Sequence, residues 1–351
     1  MTHRFALPEV RGFIVDVLVS FDVPADQAAT VADRMLEADS SGMGAHGIFR
    51  LPSYCRRIES GGYNLAPDLR LVRETPSTAL LDGDNGLGQV VMTRAVEVAV
   101  DKAQATGLAW VGVRGSNHAG AGGTYASLAA REGLIAIYMA IGSANHMPPW
   151  GGTDLLMSTN PLAVAVPAGE EAPVLLDMAT TVASYGKIKL AADRGESLPE
   201  GWMEDREGNP LTDPQRTADG FLMPIAGYKG YGLNLVIGLL AGVLNDAAFG
   251  SSVVDFSKDF TTPTNTGHAM IVVRPDAFRP MEDFLHQTDA SLREMRGSAP
   301  MPGRGPVRIP GDQNPQREQQ VREQGVAVEP TLARRLSDLA VERGLSRNLF
   351  A

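Results

Sequence analysis

Cysteine is nearly missing from this chain. Cys55 stands alone among 351 residues, so no disulfide can form within it, and a reducing compartment, the cytoplasm, is the expectation. Positive charge is short as well: 31 Lys and Arg face 41 Asp and Glu, a formal net charge of -10. Such a chain lacks the broad positive field that holds nucleic acid or an anionic membrane surface, and neither is expected as a partner. A small anion needs only a local cluster of Arg, Lys or backbone N–H groups. Long hydrophobic runs are missing too. The most apolar stretch, Leu233 to Leu244, contains Asn234, is too short to cross a bilayer and reads as a buried core helix. The first residues carry Arg4, Glu9, Arg11 and Asp16 with no unbroken apolar segment, unlike a signal peptide.

Two nucleotide fingerprints are also absent. G-x-G-x-x-G is approached by Gly120-Ala121-Gly122-Gly123, which lacks the third glycine. It is approached again by Gly227-Tyr228-Lys229-Gly230-Tyr231-Gly232, which follows no apolar strand. Neither has the spacing that sets a helix N-terminus against a pyrophosphate. The Walker pattern G-x-x-x-x-G-K-[ST] does not occur.

What is present is an ordinary globular composition, 44% hydrophobic and 21% charged, over a length that suggests two or more domains. Residues 7–21 and 25–39 space their apolar positions as a helical pair. A Gly-rich loop, Ser41 to Gly47, and a short helix with Arg50 and Tyr54 come after it. From 78 to 178 apolar strands alternate with helices at 88–105 and 124–131, which is α/β alternation around a largely buried sheet. Residues 181–194 return to helix, and 195–226 form a long Pro-, Gly- and charge-rich excursion. The buried helix 231–244 and the strand His268–Arg274 come next, then an amphipathic helix at 281–296. Residues 297–316 hold many Pro and Gly and read as a linker or a binding loop of fixed path. A helix at about 330–344 closes the chain. Three parts are expected: 1–75, 76–275 and 276–351.

Several residues stand where chemistry gathers. His118 lies in Arg114-Gly115-Ser116-Asn117-His118-Ala119-Gly120, just past a strand, and can pass a proton near neutral pH or simply bond to backbone. His46 and Arg50 stand four apart; the guanidinium suits a carboxylate, or a surface ion pair. Lys229, at the entry to the buried helix, marks an anion site or an exposed lysine. Asp177 ends an apolar run, where it can accept from a ribose or cap the next segment. His118, His146 and Asp154 form a rival two-His-one-carboxylate metal set, without the spacing of a ligand helix.

In order, eight segments resemble one family. They are DSSGMGAHGIFRLPSY (Asp39 to Tyr54), RGSNHAG (Arg114 to Gly120), PWGG (Pro149 to Gly152), TNPL (Thr159 to Leu162), LDMAT (Leu176 to Thr180), GWMEDREG (Gly201 to Gly208), GYKGYGL (Gly227 to Leu233) and RIPGD (Arg308 to Asp312). Together they are similar to the second type of malate/L-lactate dehydrogenases. That family includes sulfolactate and ureidoglycolate dehydrogenases, diketogulonate reductases and reductases of piperideine- and pyrroline-2-carboxylate.

The resemblance implies a nicotinamide-binding α/β fold that is not Rossmann, with an interleaved mixed sheet and a helical N-terminal part. It implies a homodimer whose cleft takes residues from both chains. By motif, His118 matches the catalytic acid/base; His46, Arg50 and Tyr54 match the substrate side; Ser143, Asp177, Met178, Ala179, Lys229, Gly230, Gly311 and Asp312 match cofactor-contacting stretches. No metal is implied. The expected activity is NAD- or NADP-dependent hydride transfer at C2 of a small 2-oxo/2-hydroxy acid. A cyclic imino acid is the alternative substrate. A metal-dependent hydrolase or lyase, or an inactive small-acid binder, are the alternatives of another class. Three departures bear on substrate choice: Ala45 where many members have Ser, Asp312 where Pro-Gly-Glu is common, and the unusual stretch from Ser143 to Pro148 with its His146.

Overall fold

Apolar side chains at helical spacing fold the first segment into α1 (Leu7–Val19) and α2 (Ala25–Ser40), after a short strand β1 (His3–Phe5). Val10, Phe13, Ile14, Val17 and Leu18 of α1 meet Ala28, Val31, Ala32, Met35 and Leu36 of α2 in one core. These are three- and four-residue steps along one face of each helix, and each large apolar side chain buried there contributes about 1.5–3 kcal/mol. Prolines open both helices, Pro8 in the first turn of α1 and Pro24 at the cap of α2, where a missing N–H costs nothing. Two 3₁₀ turns, Gly44–His46 and Ile48–Arg50, lead into α3 (Leu51–Glu59). The structure, a computed structural model, describes residues 3–351, the side chains of Leu190 and Asp193 excepted.

The chain then builds a sheet: β2 (Arg70–Glu74), β3 (Thr78–Asp82), α4 (Gly88–Thr106), β4 (Leu108–Ser116), α5 (Gly122–Arg131) and β5 (Ile135–Ala140). A small antiparallel pair, β6 (Asn145–Met147) and β7 (Met157–Ser158), precedes β8 (Leu162–Val166) and β9 (Val174–Met178). After α6 (Tyr185–Arg194), β10 (Met203–Asp205) and β11 (Gly220–Leu222) pair antiparallel. Beyond them lie α7 (Tyr228–Ala241), β12 (Thr266–Val273), α8 (Met281–Arg296), α9 (Asn314–Gln324), β13 (Val326–Val328) and α10 (Pro330–Glu342).

The main sheet has seven strands in the order β2-β3-β4-β12-β5-β8-β9. Only β3 and β4 run parallel, and α4 is the crossover that such a pair requires; every other pairing is antiparallel. The architecture is thus a mixed α/β sheet. On one face α4 and α5 press the small side chains of Val91, Ala95, Ala99 and Ala129, and the larger ring of Tyr125, onto Leu81, Val111, Val113 and Ala163. On the other, Ile237 and Ala241 of α7 meet Met139 and Ala269. β13 pairs with β1, and Leu332, Leu336 and Leu339 of α10 enter the core of α1 and α2. The chain's two ends therefore share one core.

The stretch 195–226 is ordered by a small core of its own, with Leu198, Met203, Leu211 and Leu222 packed on Ala183 and Ile188. The Pro- and Gly-rich stretch 297–316 takes the fixed path rather than that of a free linker: Leu175 N donates to Pro310 O at 3.0 Å. Among the described residues no helix is long and apolar enough to cross a membrane.

Candidate active site

β4 ends at Ser116, and the residue after it anchors the loop beyond the strand. Asn117 is fully buried; its Nδ2 donates to Asn85 Oδ1 and Gly86 O, both at 2.9 Å, and its Oδ1 accepts from Thr264 Oγ1 at 2.9 Å. That side chain clamps the strand-end loop and sets the direction of His118. Gly88 opens α4 against the same loop. A Cβ there would lie 2.4 Å from Asn117 O and 2.5 Å from His118 O, so only glycine lets the helix approach this closely.

His118 Nδ1 lies 2.7 Å from the hydroxyl of Tyr54, a buried side chain of α3. Gln89 Nε2 donates to the same hydroxyl at 2.8 Å. The His46 ring stacks on His118 with centroids 5.5 Å apart, and Phe256 packs at 5.5 Å. Arg50 Nε donates to Ala45 O at 2.8 Å, and no carboxylate pairs with its guanidinium among the described residues. The loop that carries His46 and Arg50 is folded over Asp39, whose Oδ2 accepts from Ile48 N at 2.9 Å.

Burial and charge both act on this chamber. Burial, then the Arg50 charge, lowers His46 to about 4. Burial, then Arg50, His46 and His268, holds His118 well below the ordinary histidine range. Burial raises the Asp39 carboxyl to about 7, against the pull of the Ile48 N–H. Burial also raises the Tyr54 hydroxyl. The result is two neutral imidazoles facing one unpaired guanidinium.

A second group forms around the end of β9. Asp177 Oδ2 accepts from Gly123 N, in the first turn of α5, at 2.8 Å, and burial raises its carboxyl. Met178 closes the β9 ladder opposite Leu162, and Ala179 leads to Thr180, which is buried and bonded to Thr159 O and Asn234. Gly311, at φ 94°, packs on Leu175. Asp312 pairs with Arg296 at 2.6 Å and accepts from Ile309 N at 2.7 Å, so its carboxylate fastens its own loop. Beside these stretches lies a cavity of about 630 Å³, lined in part by Arg34, Gly123, Thr124, Arg131, Leu175 and Asn314.

Lys229 is exposed in the first turn of α7 and Gly230 is packed on Ile225 O. Ile225 N donates to Thr180 O at 2.9 Å, which ties this turn to the far end of the Asp177–Thr180 stretch. Ser143 O accepts from Phe256 N at 3.0 Å and so borders the histidine chamber. His146 instead stacks on Tyr185 of α6, centroids 4.2 Å apart, and burial lowers it to about 4. Among the described residues no group of three His, Cys, Asp or Glu side chains could hold a metal ion; His118, His146 and Asp154 do not assemble into one. Reading the sequence missed Asp39, Gln89 and Phe256. Asp39 opens the segment Asp39 to Tyr54, but nothing in its position there gives it a role; Gln89 lies outside the quoted segments, and Phe256 lies in a loop that reads as featureless.

A histidine–tyrosine–arginine cluster and a cavity of cofactor size can serve an oxidoreductase, and comparison with known proteins shows the family. The chain belongs to the malate/L-lactate dehydrogenase family, whose model matches residues 5–337, and it is an oxidoreductase. It is 40% identical over 298 residues to a malate dehydrogenase of Pyrococcus horikoshii, covering 83% of this chain and 81% of that one. It is 38% identical over 304 residues to the ureidoglycolate dehydrogenase (NAD(+)) of Escherichia coli K12, covering 87% and 85%. It is 33% identical over 296 residues to the (2R)-3-sulfolactate dehydrogenase (NADP(+)) of Chromohalobacter salexigens, covering 84% and 87%. Among solved structures, the sulfolactate dehydrogenase from Methanocaldococcus jannaschii superposes with a TM-score of 0.89 at 34% identity, covering 98% of both chains.

Proposed function

We propose that this chain moves a hydride between NAD or NADP and C2 of a small 2-oxo/2-hydroxy acid of the malate or lactate kind. One observation carries the reading: Arg50, without an acidic partner among the described residues, shares a chamber with His118, whose Nδ1 is held by Tyr54. A guanidinium fork pairs with a carboxylate through two parallel hydrogen bonds. With the acid seated on Arg50, its C2 oxygen comes to His118, and Nε2 gives that oxygen a proton in reduction or takes one in oxidation. Tyr54 holds the ring, with His46 and Phe256 against it. Arg50 is a cause of the lowered His118. Burial is the larger cause; a bound carboxylate neutralises the Arg50 charge and so removes the second one, which favours the protonated ring.

The residues present fit a dinucleotide. The cavity near Asp177 has the volume of a cofactor pocket, the first turn of α5 borders it, and Arg34, in its wall, has two donors, Nε and Nη1, buried without a partner. When bound, the nicotinamide supplies or accepts the hydride. Asp177, Met178, Ala179, Gly311 and the loop of Asp312 would hold one part of it, and Ser143, Lys229 and Gly230 another. The mixed sheet is read as a nicotinamide-binding core that is not Rossmann, spanning 76–275, with 1–75 as the helical part that carries the substrate-side loop and 276–351 as C-terminal helices packed back on it.

A homodimer in the cytoplasm is the proposed state. Val236, Leu239, Val243 and Leu244, on and just after α7, are 44–61% exposed, an apolar run that single soluble chains seldom leave open. The test is a panel of 2-oxo acids and cyclic imines with NADH and NADPH, followed at the nicotinamide absorbance. Turnover of malate- or lactate-like 2-oxo acids is expected. Turnover of cyclic imines alone would replace the substrate class, and no turnover with either cofactor would refute the reading.

A further inference from the structure

The chamber holds a third hydrogen-bonding side chain that the chemistry above does not use. Gln89, in the first turn of α4, is 1% exposed. Its Nε2 reaches the Tyr54 hydroxyl at 2.8 Å, while its Oε1 is buried without any partner. A carbonyl oxygen left so is unfavourable, and it marks an amide that can be turned.

A tyrosine hydroxyl has one proton to give. With the amide nitrogen donating to it, Tyr54 must donate to His118 Nδ1, and a neutral His118 then carries its hydrogen on Nε2. Turned by half a revolution, the amide has nearly the same outline. Its oxygen then accepts the Tyr54 proton, Tyr54 accepts from Nδ1–H, and Nε2 is bare.

We propose that Gln89 is a positioning residue that decides, through the Tyr54 hydroxyl, which nitrogen of His118 carries the proton, and that it works with its amide oxygen on Tyr54. The inference rests on His118 being the acid/base group proposed above. In oxidation the substrate O–H bond breaks, a bond to Nε2 forms, and the hydride leaves C2 for the nicotinamide. Nε2 can take that proton only if it starts bare, so Nδ1–H must already be anchored. In reduction the same proton returns to the oxygen on C2.

The charged and titratable groups facing the pair are Arg50 and His46 from the 44–50 loop, His268 from β12, Tyr63 beyond α3 and Tyr125 from α5. Arg50 is cationic and the other four are neutral, their shifts caused chiefly by burial. None of them is hydrogen-bonded to the Tyr54 hydroxyl; Gln89 and His118 are its partners among the described residues.

The experiment uses the full chain with Q89E and Q89M. Tautomers of His118 are read by nitrogen-15 NMR of histidine-labelled protein, without substrate or cofactor, and the pH profile of the oxidation is measured beside them. Q89E can only accept once ionised, so it should hold Nδ1–H and raise the acidic limb of kcat by about one pH unit. Q89M leaves Tyr54 no acceptor but Nδ1. It should show hydrogen on Nε2 and lose about tenfold in oxidative kcat, with KM for the acid within about twofold. One shared tautomer and one shared profile across the three proteins would overturn the proposal, as would a Q89M protein changed only in melting temperature. His118→Ala is run in parallel. If it keeps full turnover, the reading of the site falls, while the tautomer signals still judge Gln89.

Discussion

Two hydrogen-bonded histidine–tyrosine pairs lie among the described residues. His118 and His268 each present Nδ1 to a tyrosine hydroxyl, Tyr54 at 2.7 Å and Tyr138 at 2.9 Å. Burial lowers both, His268 to about 3. They part at the other nitrogen. Nε2 of His268 meets Ser116 Oγ at 3.1 Å within the middle of the sheet, where the residue is 1% exposed. Nε2 of His118 has no hydrogen-bond partner among the described residues, and its ring keeps some access to solvent beside Arg50. A histidine bonded on both sides is cohesion. One bonded on a single side keeps a nitrogen for chemistry.

Exchange of the two roles is the sharpest way to break this comparison. His118→Ala should cut kcat by about 10²–10⁴-fold and cost less stability than His268→Ala, since the Tyr54 hydroxyl keeps Gln89 as a partner. His268→Ala should leave kcat per folded molecule within a few-fold. It should cost about 1–3 kcal/mol of stability, since Tyr138 and Ser116 lose a buried partner. Activity assays and urea unfolding on both variants decide it; a stable, inactive His268 variant would erase the distinction.

Acid should expose what the pairs share. His46, His118, His146 and His268 all have lowered values, so between about pH 4 and 6.5 the unfolded chain binds protons that the folded one does not. Stability from these groups is present above the unfolded histidine value and is lost as pH falls through that window. Asp39, raised to about 7, and Asp177, also raised, run the other way: a folded carboxyl that holds its proton longer favours the fold as pH falls. Four groups outweigh two, and urea unfolding should show a net loss of roughly a few kcal/mol from pH 7 to 5. A flat profile would mean that the imidazoles are already charged in the fold.

The smallest effect separates the tyrosines. Tyr138→Phe should cost about 1 kcal/mol of stability with unchanged kcat. Tyr54→Phe should lower kcat by up to about tenfold with a similar small loss of stability. Equal kinetics in the two variants would leave Tyr54 as packing only.

Much of this frame was legible from residues alone. The strand-end position of His118, the spacing of His46 and Arg50 and the helix at 88–105, observed as Gly88–Thr106, come from local pattern. β2 did not show itself because its residues Arg70, Arg73 and Glu74 are exposed at the sheet edge, where no apolar alternation is demanded. α9 has no buried residue, so no periodicity announces it. Asp39, Gln89 and the His268–Ser116 bond come from tertiary contact, and a polar ring inside the apolar strand Thr266–Val273 was the single hint of the last. Asp312, a departure from the family pattern, turns out to be tied to Arg296, a contact invisible without the path of the loop from α8.

β12 lies fourth of the seven strands, between β4 and β5, yet it is the last of them in the chain. During synthesis the strands on its two sides, β2-β3-β4 and β5-β8-β9, emerge first and wait with unpaired edges facing a gap. The sheet closes only when residue 273 has left the ribosome, about four-fifths of the way along. Pairings this distant in sequence are slow to form, and waiting edges invite strands from other molecules. A nascent chain stalled before residue 266 is therefore the form of this protein most in need of a chaperone.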